Sequence, residues 1–425
     1  VVLVEAINVP ALGRYGASPP VELLRQILDH GGCYDRSKLF WKSIVDMVEM
    51  CACGPAGGGR NALTPRFVRH HACLSMPQPS PEAMKQIFAA IIGGYLSSAG
   101  SADVKALAKP IVESTVDLFF NVTRDLKPIP AKAHYTFNLR DVSKVVQGIL
   151  MVKASHLPDK ETLAKLWCHE VMRVFHDRLI DDADRAYFTE MIVDFIKAGF
   201  KLPWSHDDLF VHERVIFGDY QRMGVAAEDR RYELAPSTHK LPGIFNDYLD
   251  EYNVVNKEMK LVFFWDACEH VSRLARILRQ PRGNAMLVGV GGSGKQSLTR
   301  FAAFMAEYKC FQIELRKGYG YAEFREDLKT LYFTAGAEGQ PIVFLFSDTQ
   351  IVTESFVEDI NNILNSGEVP NLFASDEWER IIAAVTPACT ALGIPETRDN
   401  VKLHFIERVR RNLHLVVTAP PDAAL

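Results

Sequence analysis

The chain has 425 residues, of which 48% are hydrophobic and 24% are charged; this composition excludes a disordered polypeptide and allows two or three folded domains. Its formal net charge of −4 gives no reason to expect nucleic acid or an anionic membrane as a partner. The eight cysteines form no C-x-x-C pair, which fits a reducing compartment, and no apolar run approaches the about 18 residues of a membrane span.

The beginning of the chain predicts a strand followed by a helix. Residues 1–4 (VVLV) have the composition of a buried strand, which ends at Glu5 and Ala6, and residues 20–28 follow as a helix with a proline near its start. The first residue already lies inside an apolar run, and no signal-peptide pattern precedes it. We therefore expect the chain to be a piece of a longer protein.

Three features of the first half of the chain resemble ligand sites. The glycine-rich loop 54–61 favours a turn-rich connection, because neither a lysine nor a helical pattern follows it, although a second phosphate-binding loop remains the alternative. Cys51 and Cys53 alternate along an apolar run and favour core thiols over metal ligands. Residues 169–173 (HEVMR) begin like a helical zinc motif, but the fifth position is arginine where that motif has histidine.

The middle of the chain is predicted to be helical. Between residues 81 and 199, apolar residues recur every three or four positions in five segments: 84–96, 108–121, 141–152, 162–180 and 184–198. Residues 200–256 are richer in proline, glycine and charge and predict a connector with one or two short helices. An amphipathic helix then ends before Pro281, with one apolar stripe formed by Leu261, Phe264, Cys268, Val271, Leu274 and Leu278.

A phosphate-binding loop follows. The apolar run 285–288 predicts a buried strand, and helical spacing resumes after Lys295. The glycines between them permit a tight turn that brings backbone N–H groups close to phosphate oxygens, and Lys295 is expected to lie exposed in the loop and reach the terminal phosphates. A plain surface loop is the alternative. The candidate nucleotide-binding residues are Gly289, Val290, Gly291, Gly292, Ser293, Gly294, Lys295, Gln296 and Ser297.

Two departures from the usual pattern bear on metal binding and hydrolysis. The position after Lys295 normally carries Ser or Thr as a magnesium ligand, and here it is Gln296, with Ser297 one place later. Asp348 ends an apolar strand and is the candidate acid that binds magnesium through water. Thr349 stands where a second acid would polarise the attacking water, so we expect nucleotide binding without efficient hydrolysis.

The remaining pattern predicts an α/β fold. Strands and helices alternate after the phosphate-binding loop, with strands at 311–315, 342–346 and 413–418 and helices at 322–332 and 354–365. This order favours a parallel sheet that binds ligands at the carboxyl ends of its strands. The opening strand with Glu5 at its end repeats the arrangement around Asp348, which indicates a repeated module.

Several longer motifs resemble those of the dynein heavy chain motor of axonemal type. The fourth AAA+ module of that family is similar to GVGGSGKQSLTR (289–300), FQIELRKGYGYAEFREDLK (311–329), FLFSDTQI (344–351) and ESFVEDINNILNSGEVPNLF (354–373). The latter half of the third module is similar to GPAGGGRN (54–61), TPRFVRH (64–70), HYTFNLRDVSKVVQGIL (134–150) and HEVMRVFHDRLIDDADR (169–185). The resemblance covers nearly the whole chain.

The resemblance implies a fold and a domain order. Each AAA+ P-loop NTPase module is expected to combine a parallel-sheet large subdomain with a helical small subdomain. The expected division is half of a large subdomain (1–75), its helical small subdomain (76–200), a connector (201–257) and a second large subdomain (258–425).

The resemblance also implies residue roles. Thr418 falls in the region of the sensor-one residue of the fourth module. In the third module the implied roles fall on Glu5 as the metal-site acid, Gly54 as the sensor-one position, Arg66 or Arg69 as the arginine finger, and Arg140 as the sensor-two arginine. Ala6 replaces an acid there, and an ion pair is the alternative role of each arginine.

The function implied is that of a fragment of an ATP-driven, minus-end-directed microtubule motor. This fragment is expected to bind ATP or ADP with magnesium, to be a poor ATPase alone, and to touch no microtubule itself. Expected partners are the other AAA+ modules of the heavy chain and, through other parts, intermediate and light chains and axonemal microtubules, in the cytoskeleton of a cilium or flagellum; neither nucleic acid nor a membrane is expected. The alternatives are a free-standing P-loop ATPase and a structural ring segment with a decayed site.

Overall fold

The computed structural model describes residues 1–57, 59–212, 214–226, 229–235 and 239–421, which divide along the chain into two compact units, with the boundary between Pro79 and Ser80. The strands are β1 (Val2–Val4), β2 (Gly32–Tyr34), β3 (Trp41–Ser43), β4 (Glu49–Cys51), β5 (Phe217–Gly218), β6 (Glu233–Leu234), β7 (Ala285–Val288), β8 (Lys309–Gln312), β9 (Ile342–Ser347) and β10 (Leu413–Ala419).

The helices are α1 (Pro19–His30), α2 (Pro65–Val68), α3 (Pro81–Leu96), α4 (Ala102–Ala106), α5 (Ala108–Asp125), α6 (Leu139–Ile149), α7 (Lys160–Val174), α8 (Asp182–Phe195), α9 (Leu241–Val255), α10 (Trp265–Arg279), α11 (Lys295–Met305), α12 (Tyr321–Tyr332), α13 (Glu354–Asn365), α14 (Ser375–Ala391) and α15 (Arg398–Asn412). Short 3-10 or π turns lie at Pro130–Lys132, Ala154–His156, His176–Arg178, Ile196–Phe200, Asp208–His212, Phe333–Glu338 and Asp348–Gln350.

The first unit is built on two parallel strands and helix α1. Strand β1 pairs with β4, and β2 pairs with β3 as a hairpin that the sequence analysis did not predict. The predicted strand and helix are confirmed, but the burial of β1 is not: Leu3 is 63% exposed. Strand β7 was likewise expected to be buried, and Met286 is 49% exposed. The reason is the same, since each strand pairs on one side only among the described residues.

A bundle of helices, α3 to α8, forms the first part of the second unit. All five predicted helical segments are helices, and they enclose a core that includes Trp167, Phe175, Phe188 and Ile192. The segment expected at 162–180 ends earlier, at Val174, where a 3-10 turn follows.

The segment predicted to be a connector with short helices is more ordered than expected. It contains the antiparallel pair β5–β6 and the 15-residue helix α9. Phe217 packs into the core of the helical bundle, whereas its neighbour Ile216 packs into the next core along the chain. Adjacent strand residues point to opposite faces, so this short pair joins two cores.

A four-stranded parallel sheet, in the order β7-β10-β9-β8, lies between two layers of helices. Every residue of β9 is buried. Phe344 packs with helices α12 to α15 on one face, and Val343 and Leu345 pack with α9 to α11 on the other. The predicted α/β fold with a parallel sheet is confirmed.

Two helices between Pro370 and β10 were missed. Each buries three apolar side chains spaced by four residues, which in α14 are Ile381, Val385 and Cys389, and in α15 are Val401, Phe405 and Val409. Pro387 lies inside α14, and a proline at that position argues against a helix when only the sequence is read. Helix α10 also begins later than its apolar stripe suggested, at Trp265.

Candidate nucleotide-binding site

The phosphate-binding loop lies between β7 and α11, at the carboxyl edge of the sheet. Gly292 and Gly294 have φ of 77° and 82°, a backbone conformation that favours glycine, and Gly294 is the N-cap residue immediately before helix α11. The Gly289 N–H donates to the carbonyl of Ala419 at the end of β10 (3.1 Å), which fixes the start of the loop to the central strand. The loop and the N-terminus of α11 therefore present backbone N–H groups and a positive dipole end to solvent.

Lys295 is placed differently from the prediction. It is the first residue of α11 and is half-buried, where the sequence analysis expected an exposed loop residue. Its Nζ donates to the carbonyls of Gly289 and Val290 (2.8 Å to the latter) and lies 3.3 Å from Ser293 Oγ. The charge is thus held directly over the loop, because loop carbonyls serve as its acceptors.

Asp348, the acid expected to bind magnesium through water, directly follows strand β9. Asp348 is exposed and begins the 3-10 turn Asp348–Gln350, and its carboxylate makes no ion pair with any described residue. Thr349 is exposed too, with its hydroxyl 2.9 Å from Ser347 Oγ. Thr418 is buried and lies opposite Ser347 in the register of β9 and β10.

Gln350, which no sequence pattern indicated, supports this turn. Its side chain is 4% exposed, accepts from Ser347 N (2.9 Å) and donates to the carbonyl of Ile313 after β8 (2.7 Å). These two bonds fix the turn that carries Asp348 and Thr349. A single amide side chain in a buried turn produces no hydrophobic periodicity in the sequence. The one available signal was its position directly after Asp348 and Thr349.

The candidate residues of the other module lie in the first unit. Glu5 and Ala6 are exposed after β1, and Ala6 has φ of 52°, in the left-handed region. Buried Asn8, which the sequence analysis did not single out, donates through Nδ2 to the carbonyls of Gly54 (2.8 Å) and Asn61 (3.2 Å). The glycine-rich loop is therefore anchored beside the end of β1.

The candidate finger and sensor arginines differ in their partners. Arg66 and Arg69 form ion pairs with α1, through Glu22 (2.8 Å) and Asp29 (2.6 Å) respectively. Arg69, with Arg25 and His70, holds the pKa of Asp29 down, at about 2. Arg140 is exposed near the N-terminus of α6 and forms no ion pair within the described parts of the chain.

A buried polar cluster joins the helical bundle to the helix that precedes the phosphate-binding loop. Glu170 of α7 is fully buried and accepts from Arg276 Nε of α10 (3.0 Å) and from the Tyr232 hydroxyl (2.9 Å). His169 lies 3.1 Å from that hydroxyl, and burial lowers the pKa of His169 well below its usual value. The segment that began like a zinc motif thus places its histidine and acid in a hydrogen-bonded core cluster.

Three family models match the chain. The model described as "P-loop containing dynein motor region D4" matches residues 259–424, and "P-loop containing dynein motor region" matches residues 1–79. "Dynein heavy chain, ATPase lid domain" matches residues 87–185. The phosphate-binding loop falls in the first match, and two of the three descriptions name a P-loop, which implies nucleotide binding.

Relatives match over nearly the whole chain. The human "Dynein axonemal heavy chain 6" is 52% identical over 99% of this chain, and the rat (Rattus norvegicus) "Dynein axonemal heavy chain 1" is 44% identical over 98% of it. The Chlamydomonas reinhardtii "Dynein-1-beta heavy chain, flagellar inner arm I1 complex" is 42% identical over 99%. The chain spans 9–10% of the length of these relatives. Among the described residues no helix has both the length and the apolar character of a membrane span.

Proposed function

We propose, from the premise that this chain belongs to the dynein heavy chain family and carries part of its motor region, that residues 289–297 bind ATP or ADP and serve a regulatory or structural role with little hydrolysis. The observation that carries the proposal is the loop itself. Gly292 and Gly294 take the conformations that a phosphate-binding turn needs, and the ammonium group of Lys295 lies over that turn.

Magnesium fits the oxygen-rich side of this site. The exposed carboxylate of Asp348 would hold the ion through water, and magnesium, when bound, would neutralise charge on the nucleotide phosphates. Gln296 offers only a neutral amide. Ser297 is rotated by roughly 100° around the helix from the position after Lys295, so it does not occupy the usual place of the hydroxyl ligand.

Slow hydrolysis follows from the residues at two positions. Thr349 cannot act as a general base at neutral pH, and such a base is worth about two to four decades in rate. Ala6 offers no side-chain base in the other module. A missing finger contact would cost a further three to five decades or so.

We propose roles for the remaining candidates from the family resemblance. The family resemblance implies that Arg140 is the sensor-two residue, and its exposed fork, which has no competing acid among the described residues, is compatible with that role. Arg66 or Arg69 is the finger, which must first leave its acid on α1. Glu5, Gly54 and Thr418 complete the metal-acid and sensor-one positions.

For the whole protein, we propose an ATP-driven, minus-end-directed microtubule motor of a cilium or flagellum. The names of the axonemal and flagellar relatives support this assignment. Its partners would be the other AAA+ modules, intermediate and light chains, and axonemal microtubules.

Calorimetric titration of the purified chain with ATP and ADP, with and without magnesium, tests the proposal. Lys295→Ala should abolish binding, because the charge over the loop is lost. Lys309→Ala is the matched control: it removes an exposed lysine from the first residue of β8, at the opposite edge of the same sheet, and should bind as the parent does.

The two alternatives predict other results. A structural segment with a decayed site would bind no nucleotide at all. A free-standing ATPase would turn over faster than about one per second, the low end of ordinary enzymes. Equal affinity of Lys295→Ala and the parent would overturn the role of the loop.

A further inference from the structure

Three metal-ligating side chains meet in the first unit, outside every site described above. Glu49 and Cys51 lie on the same face of β4, because strand residues two apart point to the same side. His71, which follows α2, completes the group. Cys51 Sγ lies 3.0 Å from Glu49 Oε1 and 3.9 Å from His71 Nε2, and His71 Nε2 lies 3.8 Å from Glu49 Oε1.

Among the described residues, the buried Glu49 carboxylate has no strong hydrogen-bond donor. Its side chain is only 1% exposed, and Oε2 has no hydrogen-bond partner among the described residues. Among the residues that the structure describes, Oε1 accepts only from the Cys51 thiol, which is a weak donor. A buried carboxylate without strong pairing is costly, and a cation held between these three groups would remove that cost.

His71 is oriented for ligation. Its Nδ1 lies 3.2 Å from the carbonyl of Phe67, and its ring packs on the Phe67 ring at 4.6 Å between centroids. Phe67 is 1% exposed and belongs to the core of this unit, so the imidazole is held in place. A histidine whose one nitrogen donates to a backbone carbonyl presents the other nitrogen to a metal, which is the usual arrangement around zinc.

We propose that Glu49, Cys51 and His71 bind one Zn²⁺ ion. The set of one thiolate, one imidazole and one carboxylate suits zinc, and three protein ligands leave a fourth position for water. Ordinary zinc–ligand distances in a tetrahedron separate ligand atoms by about 3.4–3.6 Å, so the three observed separations need to change by about 0.6 Å or less. Binding forms the Zn–S bond and releases the thiol proton to solvent.

The site has a structural consequence. It would join strand β4 to His71, three residues past the end of α2, and α2 with its C-cap residue carries Arg66 and Arg69. Zinc would thereby fix the segment from which these arginines project. The sequence pattern favours core thiols for both cysteines. Cys53 is in fact exposed beyond the strand, and Cys51 is half-buried within the cluster.

Cobalt substitution and zinc titration of the full chain test the proposal. The parent should bind one Co²⁺ with a thiolate charge-transfer band and tetrahedral visible absorption, and one Zn²⁺ should displace it. Cys51→Ser and His71→Phe should each weaken binding by more than the about 10–100-fold that loss of an outer-shell partner costs. Cys53→Ser is the matched control, since it removes an exposed thiol two residues away and should leave the band unchanged.

A second measurement needs no variant. Zinc should protect Cys51 of the parent chain from alkylation, as mapped by mass spectrometry, while exposed Cys53 and Cys310 react equally with and without the metal. The proposal is overturned if cobalt binds without a sulfur band, if Cys53→Ser loses the band as Cys51→Ser does, or if zinc leaves the alkylation of Cys51 unchanged.

Discussion

The buried pair of Glu170 and Arg276 allows a quantitative test of how the helical bundle is attached to the subdomain that carries the glycine-rich loop 289–294. The two side chains are 0% and 7% exposed, and they join helix α7 to helix α10 across 106 residues of sequence. Arg276→Met keeps most of the aliphatic volume and removes the charge. It leaves the Glu170 carboxylate buried, with the Tyr232 hydroxyl as its one remaining strong donor among the described residues.

The expected loss is about 3–5 kcal/mol in the free energy of unfolding, which is typical for breaking a buried pair on one side. Two unit charges about 4 Å apart at an effective dielectric constant of 20 attract by about 4 kcal/mol, which agrees with that range. Such a loss is a large share of the about 5–15 kcal/mol that keeps a domain folded. The double variant Glu170→Gln/Arg276→Met should recover most of it, because no unpaired charge remains.

Urea unfolding followed by circular dichroism measures these differences, and hydrogen exchange on peptides from α7 and α10 localises them. Arg222→Met is the matched control. It breaks a pair with Glu233 in which the arginine is 59% exposed, and it should cost no more than about 1 kcal/mol. If Arg276→Met costs no more than Arg222→Met, or the double variant is as unstable as the single one, the pair does not hold the two parts together.

Three further predictions concern other positions. Gly148→Ala in α6 should destabilise the chain, because a Cβ there would lie 1.8 Å from Glu170 Oε2. Gly93→Ala in α3, whose Cβ would meet nothing within 4 Å, should raise the free energy of unfolding by up to about 1 kcal/mol. The midpoints of urea unfolding compare the two variants. Below about pH 6.5 the unfolded chain protonates His169 and the folded chain does not. The free energy of unfolding should therefore decrease as the pH is lowered, by up to about 1.4 kcal/mol per pH unit for this group. His169→Gln should show a shallower pH dependence. Thr349→Glu should raise ATP turnover only when a complete neighbouring module is added, and a burst from the isolated variant would contradict this.

Local sequence signals predicted the elements that position the site. A short apolar run, glycines at the two positions with positive φ, and helical spacing after Lys295 were sufficient to locate β7, the loop and α11. The four-residue spacing that defines the buried stripes of α14 and α15 was also present in the sequence. Pro387, Gly393 and Pro395 obscured this spacing, because the local preferences of proline and glycine oppose a helix. Tertiary packing of the buried stripes maintains the two helices.

Contacts between distant residues could not be read from the sequence. No periodicity relates Glu170 to Arg276 or Gln350 to the carbonyl of Ile313, since such pairs form only when the fold brings two elements together. The prediction that β1 and β7 are buried was wrong for a related reason. Composition predicts that a strand is apolar, but its side chains are covered only where other elements pack on the faces of the sheet, and β1 and β7 lie at sheet edges among the described residues.

The position after Lys295 determines how nucleotide affinity should depend on magnesium. When a phosphate binds, Lys295 would exchange its bonds to neutral loop carbonyls for stronger bonds to anionic phosphate oxygens, and this gain does not require magnesium. Magnesium normally adds a bridge through the next hydroxyl, and Gln296 lacks that group. The parent chain should therefore bind ATP with only a small dependence on magnesium in calorimetry. Gln296→Ser should make binding clearly tighter with the metal than without it, and Ser297→Ala should not. Equal magnesium dependence in the parent and in Gln296→Ser would show that the metal is held by other groups.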